Sequence, residues 1–265
     1  LKITGQNLAH VASSMTLGHE GSSKSQIRAY GADDSTKGSL EFTMTSSAAG
    51  SSSIAMLLDG NSRISLSNND SGTGNTIFGK STATSLDAGS NYNVLVGASI
   101  ATGSMNDATH NVAVGSDALQ DITTGDDNIA IGSSALLNIT TGSSNVVIGR
   151  QSGDAVTSQS NLVLVGKSAG GAISSDNANG TIAIGFESLT ALTDGASNTA
   201  VGYKALNDAT TEIGNVSIGY KSGEFIRNDA SDYNVLIGTE SGVGGTGARN
   251  HNIAMGYRAM GSAGS

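Results

Sequence analysis

The sequence predicts an all-β chain: a parallel β-roll or β-solenoid of about eleven short coils, preceded by a small antiparallel β unit. The first observation behind this is a recurring stretch. Asn198-Thr199-Ala200-Val201-Gly202-Tyr203-Lys204-Ala205-Leu206 returns as Asn215-Val216-Ser217-Ile218-Gly219-Tyr220-Lys221-Ser222-Gly223 and occurs earlier as Asn128-Ile129-Ala130-Ile131-Gly132-Ser133-Ser134-Ala135-Leu136. Aligned on the glycine, eleven copies fall at Gly79, Gly97, Gly115, Gly132, Gly149, Gly166, Gly185, Gly202, Gly219, Gly238 and Gly256, with spacings of 17 to 19 residues. A short period held this closely marks a stack of coils, one per copy. The second observation is composition. Proline, cysteine and tryptophan are absent, and only 4% of residues are aromatic. Such a chain cannot fill a wide globular core, but Val, Ile, Leu and Ala can fill a thin stack.

Each copy begins with a run rich in Val and Ile closed by glycine, which reads as a short strand ending in a turn. The links between copies carry turn residues, as in Thr123-Thr124-Gly125-Asp126-Asp127 and Thr193-Asp194-Gly195-Ala196-Ser197. A period near 17 is too short for two helices, so each coil holds short strands and turns.

Side chains alternate along a strand. The residues three and one before the glycine therefore share a face: Val112/Val114, Ile129/Ile131, Val146/Ile148, Ile182/Ile184 and so on. We assign this face to the inside of the coil. The residue between them is also apolar in ten of eleven copies, Ser217 being the exception. A strand apolar on both faces is covered on both. The second face, with Leu95, Ala113, Ala130, Val147, Leu164, Ala183, Ala200, Leu236 and Ala254, is therefore expected to meet another copy of the chain.

The string Asn-x-Ala-Val/Ile-Gly-x-x-Ala/Ser-Leu/Gly resembles the head repeat of trimeric autotransporter adhesins and a repeat of phage tail fibre proteins. The resemblance covers about residues 75 to 260. It implies a left-handed parallel β-roll with three chains around one axis. The period is longer than in the adhesin heads, and the leading Asn is replaced by Leu162 and Thr181 in two copies. The resemblance implies a homotrimeric, non-catalytic fibre segment of a phage tail, with other virion tail proteins and a host cell-surface glycan or protein as partners. The alternative is the head of an adhesin on a bacterial surface. A tailspike depolymerase and an ice-binding solenoid are further alternatives. A depolymerase wants paired carboxylates and sugar-stacking aromatics, and the Thr pairs that would serve ice binding recur only patchily.

Domain boundaries follow from the repeat. Residues 1–72 form the N-terminal β-rich unit and residues 73–265 the solenoid shaft. In the first, Ser14 to Glu20 looks like a degenerate coil. Alternating runs follow at 26–30, 40–44 and 54–58, and Asp59-Gly60-Asn61 precedes Arg63 to Leu66 as a hairpin signal. The start at Leu1 and the lack of a signal peptide suggest a fragment of a longer protein.

The net charge of −9 argues against nucleic acid. No apolar run reaches the length that spans a bilayer, so no membrane insertion is expected. The absence of Cys removes disulfides and thiol chemistry. No cofactor is expected.

Several motifs imitate chemistry. Gly166-Lys167-Ser168-Ala169-Gly170 matches a nucleophile elbow but is a repeat copy, with no His until His251. Gly242-Val243-Gly244-Gly245-Thr246-Gly247 matches a dinucleotide fingerprint but leads to a strand, not a helix. His110 is the one candidate for a metal on a trimer axis. Asp126-Asp127 and Asn68-Asn69-Asp70 lack the spacing of a calcium loop. The leading Asn is either a turn residue or a rung in an amide ladder. The glycine turns the chain or permits close approach near the axis. Finally, Phe186, Tyr203, Tyr220 and Tyr257 follow the glycine in late copies and would align as a surface ridge. They either cover the neighbouring turn or contact a glycan or protein.

Overall fold

The computed structural model describes residues 13–17, 25–30, 39–45, 52–58, 64–65, 72–226, 231–243 and 250–260. The chain divides into two compact units, Leu1–Asn69 and Asp70–Ser265. In the first, strands β1 (Ser13–Leu17), β2 (Ser25–Tyr30), β3 (Ser39–Thr45), β4 (Ser52–Leu58) and β5 (Ile64–Ser65) pair antiparallel in sequence order. Of the stretch Ser14 to Glu20, expected to be a degenerate coil, Ser14 to Leu17 instead lie in β1, where Met15 pairs with Ile27, and the rest lies outside the described residues. The Asp59-Gly60-Asn61 turn lies outside the described residues.

The second unit is a β-solenoid. Its eleven strands are β6 (Thr76–Phe78), β7 (Val94–Val96), β8 (Val112–Val114), β9 (Ile129–Ile131), β10 (Val146–Ile148), β11 (Val163–Val165), β12 (Ile182–Ile184), β13 (Thr199–Val201), β14 (Val216–Ile218), β15 (Val235–Ile237) and β16 (Ile253–Met255). They form one parallel sheet in sequence order, in which equivalent residues pair, as in Ala183 with Ala200 and Ala200 with Ser217. The register makes every repeat position a column along the stack.

Each strand is only three residues long because the chain must turn at once. In the coil of Gly132, Ser134 (φ 57°), Leu136 (φ 49°) and Ser144 (φ 61°) are all left-handed. Such corners cost L-residues about 1–2 kcal/mol each, and buried contacts along the stack offset this. The glycine itself sits at φ 133° in Gly132, which only glycine adopts readily. A Cβ there would lie 2.6 Å from the carbonyl oxygen of Gly149 in the next coil. The close approach is thus between successive coils of one chain.

The two strand faces are the reverse of the expectation. The middle residues Leu95, Ala113, Ala130, Val147, Leu164, Ala183 and Ala200 are fully buried inside the coil, with Leu236 and Ala254 nearly so. The residues on either side of them face out. The assignment of those nine residues to a contact with another chain is therefore corrected. They pack on filler from the same coil: in the coil of Gly115, Ala113 shares the interior with Ala118, Leu119 and Ile122, all buried.

Candidate functional surfaces: an apolar strip and an aromatic edge

Outside the coil, the outward strand residues make an apolar strip along the sheet. Val94, Val96, Val114, Ile131, Ile148, Ile184 and Ile218 are each 36–39% exposed. Their partners at the strand start, among them Val112, Ile129, Val146 and Ile182, are half-buried. A single exposed Val is ordinary, but a continuous apolar column over the length of a sheet marks a contact surface.

The strip is bordered on the glycine side by an aromatic edge. Phe186 and Tyr203 stack with ring centroids 5.3 Å apart and planes 10° from parallel, and Tyr203 stacks on Tyr220 at 5.3 Å and 11°. Three of the four ridge residues thus stack in one continuous run. Tyr257 holds the same repeat position but is separated from the stack by Thr239 in the intervening coil. Ions accompany the rings. Lys204 pairs with Glu187 at 3.2 Å and Lys221 with Glu224 at 3.1 Å. A hydrogen bond from each lysine to its carboxylate partner is the main cause that raises its pKa. The Nζ of Lys167 lies 5.3 Å from the Phe186 ring centre. At the C-terminal coil, Arg258 pairs with Glu240 at 2.6 Å, which raises its pKa, and sits 5.1 Å from the Tyr257 ring.

The opposite border of the strip carries two similar stacks, Tyr92 on His110 (5.2 Å) and Tyr233 on His251 (5.3 Å). Each tyrosine also lies over a glycine of the preceding coil, with a Cβ on Gly74 or Gly214 falling 2.9 or 2.7 Å from the ring. His110 is therefore at a corner beside the strip rather than on it. Among the described residues no group of three or more His, Cys, Asp or Glu could hold a metal. No helix among them is long and apolar enough to cross a membrane.

The leading Asn forms the amide ladder. The side-chain oxygen of Asn111 accepts from the backbone N–H of Asn128 (3.0 Å) and from its Nδ2 (3.0 Å), while Nδ2 of Asn111 donates to the Gly125 carbonyl (2.8 Å). The pattern recurs from Asn75 to Asn145 and from Asn198 to Asn252. At the gap, Leu162 keeps only the backbone bond to Asn145 (2.9 Å).

A second ladder escaped the sequence reading. Two residues before the leading position in several copies, a short polar side chain accepts the backbone N–H of its counterpart in the preceding coil, while Ala196 and Ile213 interrupt the series. Asp126 takes Thr109 N–H (2.6 Å), Ser143 takes Asp126 N–H (3.0 Å), Ser160 takes Ser143 N–H (3.0 Å) and Asn179 takes Ser160 N–H (2.6 Å). The column Thr109, Asp126, Ser143, Ser160, Asn179 held the signal: all are short acceptors. Asp126 is thus occupied as a rung, and also accepts the Thr109 hydroxyl at 2.9 Å.

The imitation motifs occupy ordinary repeat positions. Ser168 (φ 55°) sits in the same left-handed corner as Ser134 and Lys204. Residues 244–249 of the glycine-rich stretch and the Asn68-Asn69-Asp70 cluster lie outside the described residues. The first Thr hydroxyl of each pair is engaged internally: Thr123 Oγ1 donates to the Thr140 carbonyl (2.9 Å) and Thr140 to Thr157 (3.0 Å), as does Thr193 to Thr210 (3.1 Å).

Comparison with known proteins gives no match: no family model, no curated protein and no solved structure matches the chain.

Proposed function

We propose that the chain is a segment of a homotrimeric, non-catalytic fibre, structural and adhesive, most similar in design to a phage tail fibre. The observation that carries this reading is the Val/Ile strip. Its columns repeat once per coil, at about 4.8 Å. The surface that matches such a spacing along its whole length is another strip of the same kind, on a second copy. Three copies rather than two follow from the resemblance of the repeat to trimeric adhesin heads and tail fibres. The antiparallel unit before the solenoid serves in this reading as a joint to neighbouring tail proteins. The head of a bacterial surface adhesin is the alternative, distinguished by what adjoins this segment in the full-length protein.

Because the chain has no cysteine, one introduced thiol is unique. With Ile131→Cys, copies that share one axis bring the thiols of equivalent residues together. Mild oxidation should then give a covalent dimer within the assembly, while Thr124→Cys, in an exposed turn, should not. Equal cross-linking of both, or of neither, would remove the strip from the interface.

A further inference from the structure

Every described lysine and arginine of the solenoid unit lies one or two residues after a repeat glycine: Lys80, Arg150, Lys167, Lys204, Lys221 and Arg258. None is found on the other sides of the coil among the described residues, where acids such as Asp107, Asp127 and Asp194 are distributed. In a chain of net charge −9, all of these cations share one edge. The aromatic column stands on that same edge.

The stacking decides what the rings can offer. The inner faces of Phe186, Tyr203 and Tyr220 cover one another at 5.3 Å, and Lys167 stands over Phe186. A neutral sugar that lays its C–H face on an aromatic ring finds these faces taken. What points outward is ring edge, which carries the positive end of the aromatic quadrupole, together with phenol and ammonium groups. Edge, hydroxyl and cation all attract negatively charged oxygen. The Lys204–Glu187 pair is partly exposed on both sides, and exposed pairs are weak enough for a multivalent anion to displace. Glu224 is buried, so Lys221 meets the anion with its own partly exposed side chain while keeping that pair.

We propose that this edge binds an acidic, linear polysaccharide, with Arg150, Lys167, Lys204 and Lys221 as its cationic contacts. A linear polymer fits because the contacts run in one line along the stack. The edge also carries Asp117, Glu187 and Glu240 two residues after their glycines. From Arg150 to Glu224, however, its four cations outnumber Glu187 and Glu224. The other sides carry no described lysine or arginine, and their acids repel the same polymer. The inference rests on the attachment half of the proposed function. An assembled fibre indifferent to anionic polymers would remove the inference and leave the strip reading standing.

The experiment measures binding of the whole chain to immobilised polygalacturonate, dextran sulfate and neutral dextran across a salt series. Carboxylate and sulfate arms distinguish which acid group is preferred, and binding to either supports the proposal. The result expected is binding at low salt that weakens as salt screens the charges, and none to dextran. Arg150→Gln, Lys167→Gln, Lys204→Gln and Lys221→Gln together should weaken binding by about tenfold or more, with circular dichroism and assembly mass unchanged. Lys204→Arg with Lys221→Arg should retain it. Equal binding to dextran, an unaffected glutamine variant, or no binding by the unaltered chain would overturn the proposal. So would a glutamine variant that loses assembly mass, since the edge would then be covered by another copy.

Discussion

Leu164 fills the room left by the missing side chain of Gly170: a Cβ on Gly170 would lie 2.9 Å from Leu164 Cδ2 and 3.1 Å from its Cδ1. The relation recurs along the stack. Leu236 stands in the same way to Gly242, where the nearest approach would be 2.7 Å. Where the strand centre is alanine, the partner four residues after the repeat glycine is large: Ala113 with Leu119, Ala130 with Leu136, Ala183 with Leu189, Ala200 with Leu206. In these coils one large and one small residue fill the interior. In the coil of Gly219 both Ser217 and Gly223 are small, and Leu206 and Leu236 of the neighbouring coils approach Gly223 instead.

This complementarity predicts a compensating pair. Leu164→Ala should cost about 2–5 kcal/mol as a cavity. Gly170→Leu should be destabilising by overpacking, by about 1–3 kcal/mol, beyond the strain of the left-handed corner (φ 59°). The double variant recreates the arrangement of Ala183 and Leu189, where Leu189 holds φ 50°. It should recover most of the loss of either single change. Chemical denaturation of all four chains gives the coupling energy, and an additive double variant would contradict the packing account.

The amide ladder predicts a cost with a direction. Asn128→Leu removes the acceptor of the Asn145 backbone N–H (3.2 Å) and of one of the two Asn145 Nδ2 hydrogen bonds (2.9 Å), and frees the Gly142 carbonyl bonded at 2.9 Å. Unsatisfied buried groups cost about 1–3 kcal/mol each. Backbone hydrogen exchange should accelerate first at Asn145 N–H. Exchange unchanged at Asn145 would mean that the ladder contributes little.

Asp154 predicts a pH dependence. Burial raises its pKa above the ordinary 3.8, outweighing its backbone hydrogen bonds. The folded state therefore binds the proton more tightly than the unfolded one. Stability associated with the protonated form is present below the unfolded value and is lost as pH rises through the folded value. Asp154→Asn should thus melt higher than the unaltered chain at neutral pH, and the gap should close in acid. A gap that stays constant with pH would assign the effect to something other than ionisation.

The period, the strands and their glycine ends were legible in the sequence, because each is local: Val and Ile in runs, glycine at a positive φ, short polar links. The facing of the strand was not. Both faces are apolar, so alternation alone cannot say which is inside. The deciding clue was parity. Asn128 and Ala130 are two residues apart and point the same way, and an Asn ladder needs a dry interior. Read together, they place Ala130 inside and Ile129 and Ile131 out. The aromatic column was legible as a ridge, since Phe186, Tyr203 and Tyr220 occupy one repeat position. That its faces would be consumed by stacking depends on ring orientation, which spacing does not encode.

Light scattering of strip and interior variants tests the central claim most directly. Ile131, Ile148 and Ile184 face outward, so replacing all three with Asp should leave the coil folded and abolish association. Ala200 is buried in the coil, so Ala200→Asp should disturb the fold itself, because an unpaired buried charge costs several kcal/mol. The account predicts that the unaltered chain has three times its 26.3 kDa mass, and that the triple Asp variant has the mass of one chain with its β-type circular dichroism intact. An unaltered chain that is a monomer, or a triple Asp variant that stays trimeric, would contradict it.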